Sequence, residues 1–422
     1  MTTALDDELQ RRGDTWLLEL ILTPEGIADP APRYRRLREE LPVFRSSNGV
    51  IFLSRFDDCR ALLRDNRFGS GDDDGGGGML AVDESEELRE FRRQTREQRR
   101  SQGTRSWLFL NPPDHTRLRG LVNRAFTPRR IESMRESITA LAEECLDDLA
   151  ERGGGDAIDV LGWLPVNVIG ELVGVPRPDW SHFRGLVTRG VATLEPGATL
   201  EELTSARSAF EEMWAYFREL VAERRRAPAD DLISALLEVE EAGDRLTENE
   251  LISTTILLFS AGMETTQNLI GNGLGALFRN PDQQARLWAD PALVDSAVEE
   301  MLRWDSPVQL DGRQALVDAD VAGLDVAKGT TVITLLGAAN RDPAQFSDPD
   351  RFDIGRDEGP PLSFASGIHY CLGANLARAE AQETFAGLIR RFAHVEQAGE
   401  LVQRGRMTLR GFEAVPIRVT PR

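Results

Sequence analysis

The 422-residue chain carries 50 basic against 70 acidic residues, a formal net charge of -20, which repels phosphate backbones and excludes a general nucleic-acid-binding role. With 41% hydrophobic and 28% charged residues, it has the composition of an ordinary globular chain that buries its own core, not of a disordered or membrane-embedded one. Three widely separated cysteines, Cys59, Cys145 and Cys371, exclude a disulfide framework and point to a reducing, cytoplasmic setting.

Near the N-terminus, TWLLELIL (15–22) is short, is interrupted by Glu19 and lacks a positively charged lead-in. It reads as an apolar segment packing on the domain, with no signal peptide and no membrane anchor. RYRRLREEL (33–41) and FDDCRALLRD (56–65) have helical period and flank two strand-like runs, VFRSS and GVIFLSRF, which predicts a small sheet. The run GSGDDDGGGGML (69–80) does not hold regular structure cheaply, because glycine loses much backbone entropy on ordering. A flexible charged loop is therefore expected around 70–106. Its part from Arg92 to Arg105 reads either as a solvated helix or as a docking patch for an anionic substrate or carrier.

In NPPDHTRLRGLVNRAFTPRR (111–130), His115 and Arg119 stand four apart and share one helix face. From Pro128 to the low 300s the chain reads as helix broken by Gly and Pro clusters. One long helix opens with Thr247 and Glu250 in capping-box spacing and stops before Asn280-Pro281. Its roughly thirty residues span on the order of 45 Å, so it crosses the core. Its middle nevertheless carries Ser260, Gly262, Glu264, Thr265 and Thr266, and buried polar groups of this kind need something to interact with. Leu257 and Ala261 fall on the face of Thr265. Further on, Glu300 and Arg303 share a face in EEMLRW, followed by Val308, Gln309 and Leu310; strand-like runs recur at 315–336 and 407–419. The fold class is mainly α with minor β sheets, and there is no internal repeat.

The segment FASGIHYCLGANLAR (364–378) places Cys371 at what reads as a helix N-terminus, where free N–H groups and the helix dipole stabilise a thiolate. Gly367 permits a tight turn, Gly373 leaves room for a flat macrocycle, and Phe364 shields the sulfur. Together they describe a sulfur ligand for a flat metal cofactor. Cys371 taken alone reads as a buried inert cysteine.

The spacing Phe364-x-x-Gly367-x-His369-x-Cys371-x-Gly373 resembles the haem-ligand signature of the cytochrome P450 superfamily, and the resemblance runs from RYRRLREEL to the final strand. It implies a single cytochrome P450 domain over 1–422, with a long central helix over a buried haem. It implies haem b (iron protoporphyrin IX) with Cys371 as the metal ligand, and His115, Arg119, Arg313 and His369 as propionate partners. Thiolate ligation in this class favours O–O cleavage. Ala261-Gly262-Met263-Glu264-Thr265-Thr266 resembles the family's oxygen-activating motif, which makes Glu264 and Thr265 the catalytic pair. Glu300, Arg303 and Arg351 would form a structural network, and Leu257, Ala261, Val308, Gln309 and Leu310 would line the substrate pocket. Asn111 departs from the family, which often has Asp there.

The resemblance implies a monooxygenase that hydroxylates or epoxidises a small organic substrate with O2. Ferredoxin and ferredoxin reductase would supply the electrons, since the chain has no flavin or NAD(P) module of its own, and Arg117, Arg124 and Arg129 would face the partner. A substrate tethered to a carrier protein is a variant of this reading. A peroxide-driven peroxygenase and a non-enzymatic haem-based sensor are the alternatives.

Overall fold

Apolar residues at helical spacing organise most of this protein. The computed structural model describes residues 2–71, 85–239 and 244–422, with side chains from Glu8 onward. Helix α1 (Thr2–Leu22) buries Trp16, Leu17, Leu20 and Ile21 in a cluster with Tyr34, Leu37, Phe44 and Phe52, so TWLLELIL packs on the domain. The adjoining sheet has five strands: β1 (Val43–Arg45), β2 (Ile51–Leu53), β3 (Phe68–Gly69), β4 (Leu310–Ala315) and β5 (Thr331–Leu335). Their order is β1-β2-β5-β4-β3, with β2 parallel to β5 and the other pairs antiparallel.

Helix α2 (Glu86–Ser101) is capped by the Ser85 side chain, which accepts from the Leu88 N–H. The charged segment around 70–106 is thus helical over this part, in line with the solvated-helix reading of Arg92–Arg105, and none of its residues is buried. Four Glu and six Arg at alternating positions support such a solvated helix through pairs like Arg93 with Glu90 and Glu97. Most of the Gly/Asp run, residues 72–84, lies outside the described residues.

The main core is formed by α3 (Asp114–Ala125), α4 (Leu200–Arg226), α5 (Glu248–Arg279), α6 (Val294–Trp304) and α7 (Ala374–Arg391), with shorter helices between them. The chain closes with β6 (Phe392–Gln397), β7 (Val402–Gln403), β8 (Phe412–Ala414) and β9 (Pro416–Pro421). Strand β9 pairs with β6 and with Gly154–Asp156, while β7 pairs with β8 as a hairpin.

Helix α5 starts as its sequence predicts. The Thr247 hydroxyl accepts from Glu250 N, and the Glu250 carboxylate accepts from Thr247 N. Its 32 residues run through the core. Between Leu251 and Leu277 every residue is buried except Leu257, Ser260, Ala261, Gly262 and Thr265. An all-round buried helix left open at one short stripe lines an internal recess, and Leu257, Ala261 and Thr265 are spaced four apart along it.

Candidate active site

The loop that carries Cys371 is held from beneath by a buried ion pair. Arg303, 1% exposed, donates Nε and Nη2 to the two carboxylate oxygens of Glu300 at 2.6 and 2.7 Å. Its remaining donors go to the carbonyls of Asn340 and Pro349, each at 2.9 Å, and of Arg351 at 3.1 Å. All five guanidinium N–H groups are therefore used. Arg351 was expected to contribute its side chain here. That side chain is exposed, Arg351 gives only its carbonyl, and Arg356 reaches Glu300 instead, at 3.2 Å. This Arg356 Nε contact lacks the alignment of a hydrogen bond. From the network Asn340 extends to the cysteine loop, accepting from Leu362 N at 2.7 Å and donating to Ser363 Oγ at 2.9 Å.

The loop itself is tightly specified. Gly367 has φ +74°, and a Cβ there would lie 2.1 Å from the Leu63 carbonyl oxygen, so glycine is required twice over. The Cys371 N–H donates to the Phe364 carbonyl at 3.0 Å. Helix α7 begins only at Ala374, so Cys371 lies just outside it and not in its first turn. Burial pushes the Cys371 thiol up, against which the Gly373 N–H and the charges of Arg119 and Arg378 act in the thiolate's favour. A Cβ on Gly373 would meet only the Cys371 sulfur, at 3.9 Å. The space over this glycine is open, as a flat group lying against the backbone requires. Phe364 packs against the main core, with the Arg378 guanidinium 4.5 Å from its ring centroid.

Next to the loop is a group of polar side chains whose partners are missing. The His115 and His369 rings lie 4.2 Å apart. All four of their nitrogens, together with Arg313 Nη2 and Trp107 Nε1, are buried without a hydrogen bond. Buried polar atoms are rarely left so. Arg119 donates to the Tyr370 carbonyl at 2.6 Å and stacks 5.1 Å from the Trp107 ring centroid. Burial, then the charges of Arg119 and Arg313, hold His115 down to about 4; burial, then Arg313, hold His369 down to about 3. Burial and the neighbouring guanidiniums thus disfavour a charged imidazole at His115. An anionic group accepting from these atoms is what the cluster lacks, and haem propionates fit it. Trp107 was not anticipated as a member; its position just before NPPDH was the available signal. Asn111, the departure from the family, clamps Ser70 by accepting from its N–H and donating to its carbonyl, each at 2.8 Å, and a carboxylate cannot make the second bond.

On α5, the Thr265 hydroxyl donates to the Ala261 carbonyl at 2.8 Å. Glu264 is 2% exposed and turned to the other side, where its Oε1 accepts from Arg404 at 2.7 Å and Arg406 at 2.8 Å. Of the expected pocket residues, Leu257, Ala261 and Val308 are incompletely buried. Two expectations are corrected. Gln309 is buried and committed to Tyr34 and Ser306, at 2.8 and 2.6 Å. Leu310 belongs to the core cluster under α1, because strand alternation turns it away. Arg117, read as facing a partner, is ion-paired with Asp244 and Glu250.

Comparison with known proteins agrees with this geometry. The family model for Cytochrome P450 matches residues 191–408. Cytochrome P450 107B1 of Saccharopolyspora erythraea is 40% identical, over 92% of this chain and 94% of its own. Cytochrome P450 monooxygenase PikC of Streptomyces venezuelae is 38% identical, over 93% and 91%. The crystal structure of P450BioI in complex with hexadec-9Z-enoic acid ligated acyl carrier protein superposes with a TM-score of 0.84 at 34% identity, covering 94% of this chain and 99% of that one.

Proposed function

The chain belongs to the cytochrome P450 family and is an oxidoreductase of the monooxygenase class, and from that premise we propose that it hydroxylates or epoxidises a small organic substrate of the polyketide kind. The cofactor this site would hold is haem b, with the Cys371 sulfur as the ligand of its iron. The observation that carries this reading is the set of unpartnered buried donors on His115, His369, Arg313 and Trp107 beside the Cys371 loop. When bound, the haem supplies dioxygen binding and oxygen-atom transfer.

The protein's own residues then have distinct tasks. His115, His369, Arg313 and Arg119 anchor the propionates, and Gly373 leaves room for the macrocycle. The Gly373 N–H and the Arg119 and Arg378 charges favour thiolate at Cys371 against its burial. Thr265 presents a hydroxyl to the recess, and Glu264 supplies protons to it. Leu257, Ala261 and Val308 give the substrate an apolar wall. Related bacterial enzymes such as Polyketide biosynthesis cytochrome P450 PksS of Bacillus subtilis, 37% identical over 90% of this chain and 94% of its own, support the substrate class.

Electrons come from NAD(P)H through a ferredoxin reductase and a ferredoxin, and the enzyme works in the cytoplasm. No described helix is long and apolar enough to cross a membrane. The test is reconstitution with those two proteins. Reductant-driven dioxygen consumption that falls sharply in Thr265→Ala, with the haem spectrum kept, supports the reading. Turnover with hydrogen peroxide alone, indifferent to Thr265, favours a peroxygenase.

A second reading concerns delivery of the substrate. The carrier-bound P450BioI structure and the Arg-rich, wholly unburied α2 support a substrate tethered to an acidic carrier protein. Equal affinity for free and carrier-tethered substrate would count against it.

A further inference from the structure

Helix α2 lies on the molecule without burying a single residue, and it meets α4 through crossed cation–aromatic pairs. Arg99 of α2 stands 4.6 Å from the Phe210 ring centroid of α4, and Arg207 of α4 stands 4.7 Å from the Phe91 ring centroid of α2. Such pairs are weak where water reaches them. Between the two helices is a crevice of about 270 Å³, lined by Thr95, Arg99, Arg207, Phe210, Trp214 and Arg218, among others. None of the residues assigned above to the haem or to the substrate recess borders it.

Three features of its wall point to a ligand. The first is charge. Among the described residues neither Arg207 nor Arg218 is in an ion pair, whereas Arg224 and Arg225, farther along α4, are paired with Asp231 and Glu248. Glu211 also borders the crevice and pairs with neither. In a chain of net charge -20, two guanidiniums left unpaired in one crevice suit an anion from outside. The second feature is shape. Phe210 and Trp214, with ring centroids 5.8 Å apart and planes tilted by 37°, are only partly buried and stand beside those cations. The third is an orphan. The Thr95 side-chain oxygen is buried with no hydrogen bond, although a helical threonine can bond to the carbonyl one turn back.

We propose that this crevice binds a small aromatic carboxylate, which clamps α2 to α4. The carboxylate accepts from Arg207 and Arg218 and from the Thr95 hydroxyl, and the ring packs on Phe210 and Trp214. The clamp reaches the haem site through the C-terminal end of α2. There the Gln102 carbonyl accepts from Asn249 of α5 at 2.8 Å, and the chain runs on to Trp107 beside His115. The crevice is therefore an effector site separate from the recess, and it stands independently of the reaction proposed above.

The probe is 2-naphthoate, titrated calorimetrically into the haem-loaded enzyme, with the uncharged 2-naphthalenemethanol for comparison. Saturable one-to-one binding of the acid is expected, at least about tenfold tighter than that of the alcohol, because charge-assisted hydrogen bonds separate the two. Arg218→Gln, at an exposed position, should weaken binding of the acid severalfold. Arg207→Gln/Arg218→Gln should weaken it about tenfold or more, with the carbon monoxide spectrum and melting temperature kept. Ala261→Phe, which crowds the recess, should bind the acid as wild type does. Binding lost in Ala261→Phe but indifferent to the two arginines puts the acid in the recess and overturns the proposal. Equal affinity for acid and alcohol, or no saturable binding at millimolar acid, overturns it too. Hydrogen exchange is the second readout. With the acid bound, amides of residues 86–101 should exchange severalfold more slowly in wild type and not in the double variant. Exchange there that is unchanged at saturation contradicts the clamp.

Discussion

Arg303 and its neighbours divide what was legible in the sequence from what was not. The spacing of Glu300 and Arg303 on one helix face was readable, and the pair is bidentate. The third cation was not. Arg351 and Arg356 lie in the same irregular loop, where no periodicity says which side chain turns inward, and the backbone there directs Arg356 to Glu300. Removing one partner of a buried ion pair leaves the other charge stranded, so Arg303→Ala should lower stability by about 3–5 kcal/mol. Arg351→Ala, on the surface, should stay within about 0.5 kcal/mol. Thermal or urea denaturation of both variants checks the contrast. His115 supplies a pH test. Its folded pKa of about 4 lies below the ordinary 6.5, so the unfolded chain binds the proton more readily. In haem-free protein this stability contribution is complete above about 6.5, falls as pH drops through that value, and is fully lost below about 4. His115→Gln should therefore lose less stability than wild type between pH 7.5 and 5, read from urea midpoints.

Among the elements, α5 was the most readable, because a capping box and an unbroken apolar face specify it locally. Which way its polar residues point was not readable. Helical spacing places Glu264 and Thr265 about 100° apart around the axis, but only the packed hairpin reveals that Glu264 faces Arg404 and Arg406. Gln309 and Leu310 were misplaced for a similar reason. They follow α6 to the start of β4, and their orientation is set by the pairing of β4 with β5 and β3 in the five-stranded sheet. The charged α2 was readable as a solvated helix over Arg92–Arg105 from its Glu–Arg pairs, but the adjacent glycines hid its start at Glu86. The cysteine loop depends on glycine where the sequence said it would. Gly367→Ala introduces a left-handed alanine, costing about 1–2 kcal/mol, and a clash with the Leu63 carbonyl besides. Reduced haem content and a lower melting temperature are expected, with Gly197→Ala as an indifferent control.

At the scale of the whole molecule, the mainly α architecture with minor sheets was legible from period and length. The topology was not, because strands of two to six residues carry little pattern and β2 pairs with a strand nearly 280 residues away. The site could be named only because its motif is local, a single 15-residue segment around Cys371. The propionate cluster, by contrast, assembles His115, Arg313 and His369 from three distant parts of the chain, and Trp107 joins them from just before the segment of His115. Everything about the chemistry rests on Cys371 ligating haem iron. The most direct measurement is the absorption spectrum of the reduced, carbon monoxide-bound protein, wild type beside Cys371→Ala. A strongly red-shifted Soret band in the wild type that is lost in the variant is the predicted result. A wild-type protein that takes up no haem, or a band indifferent to Cys371, would contradict it.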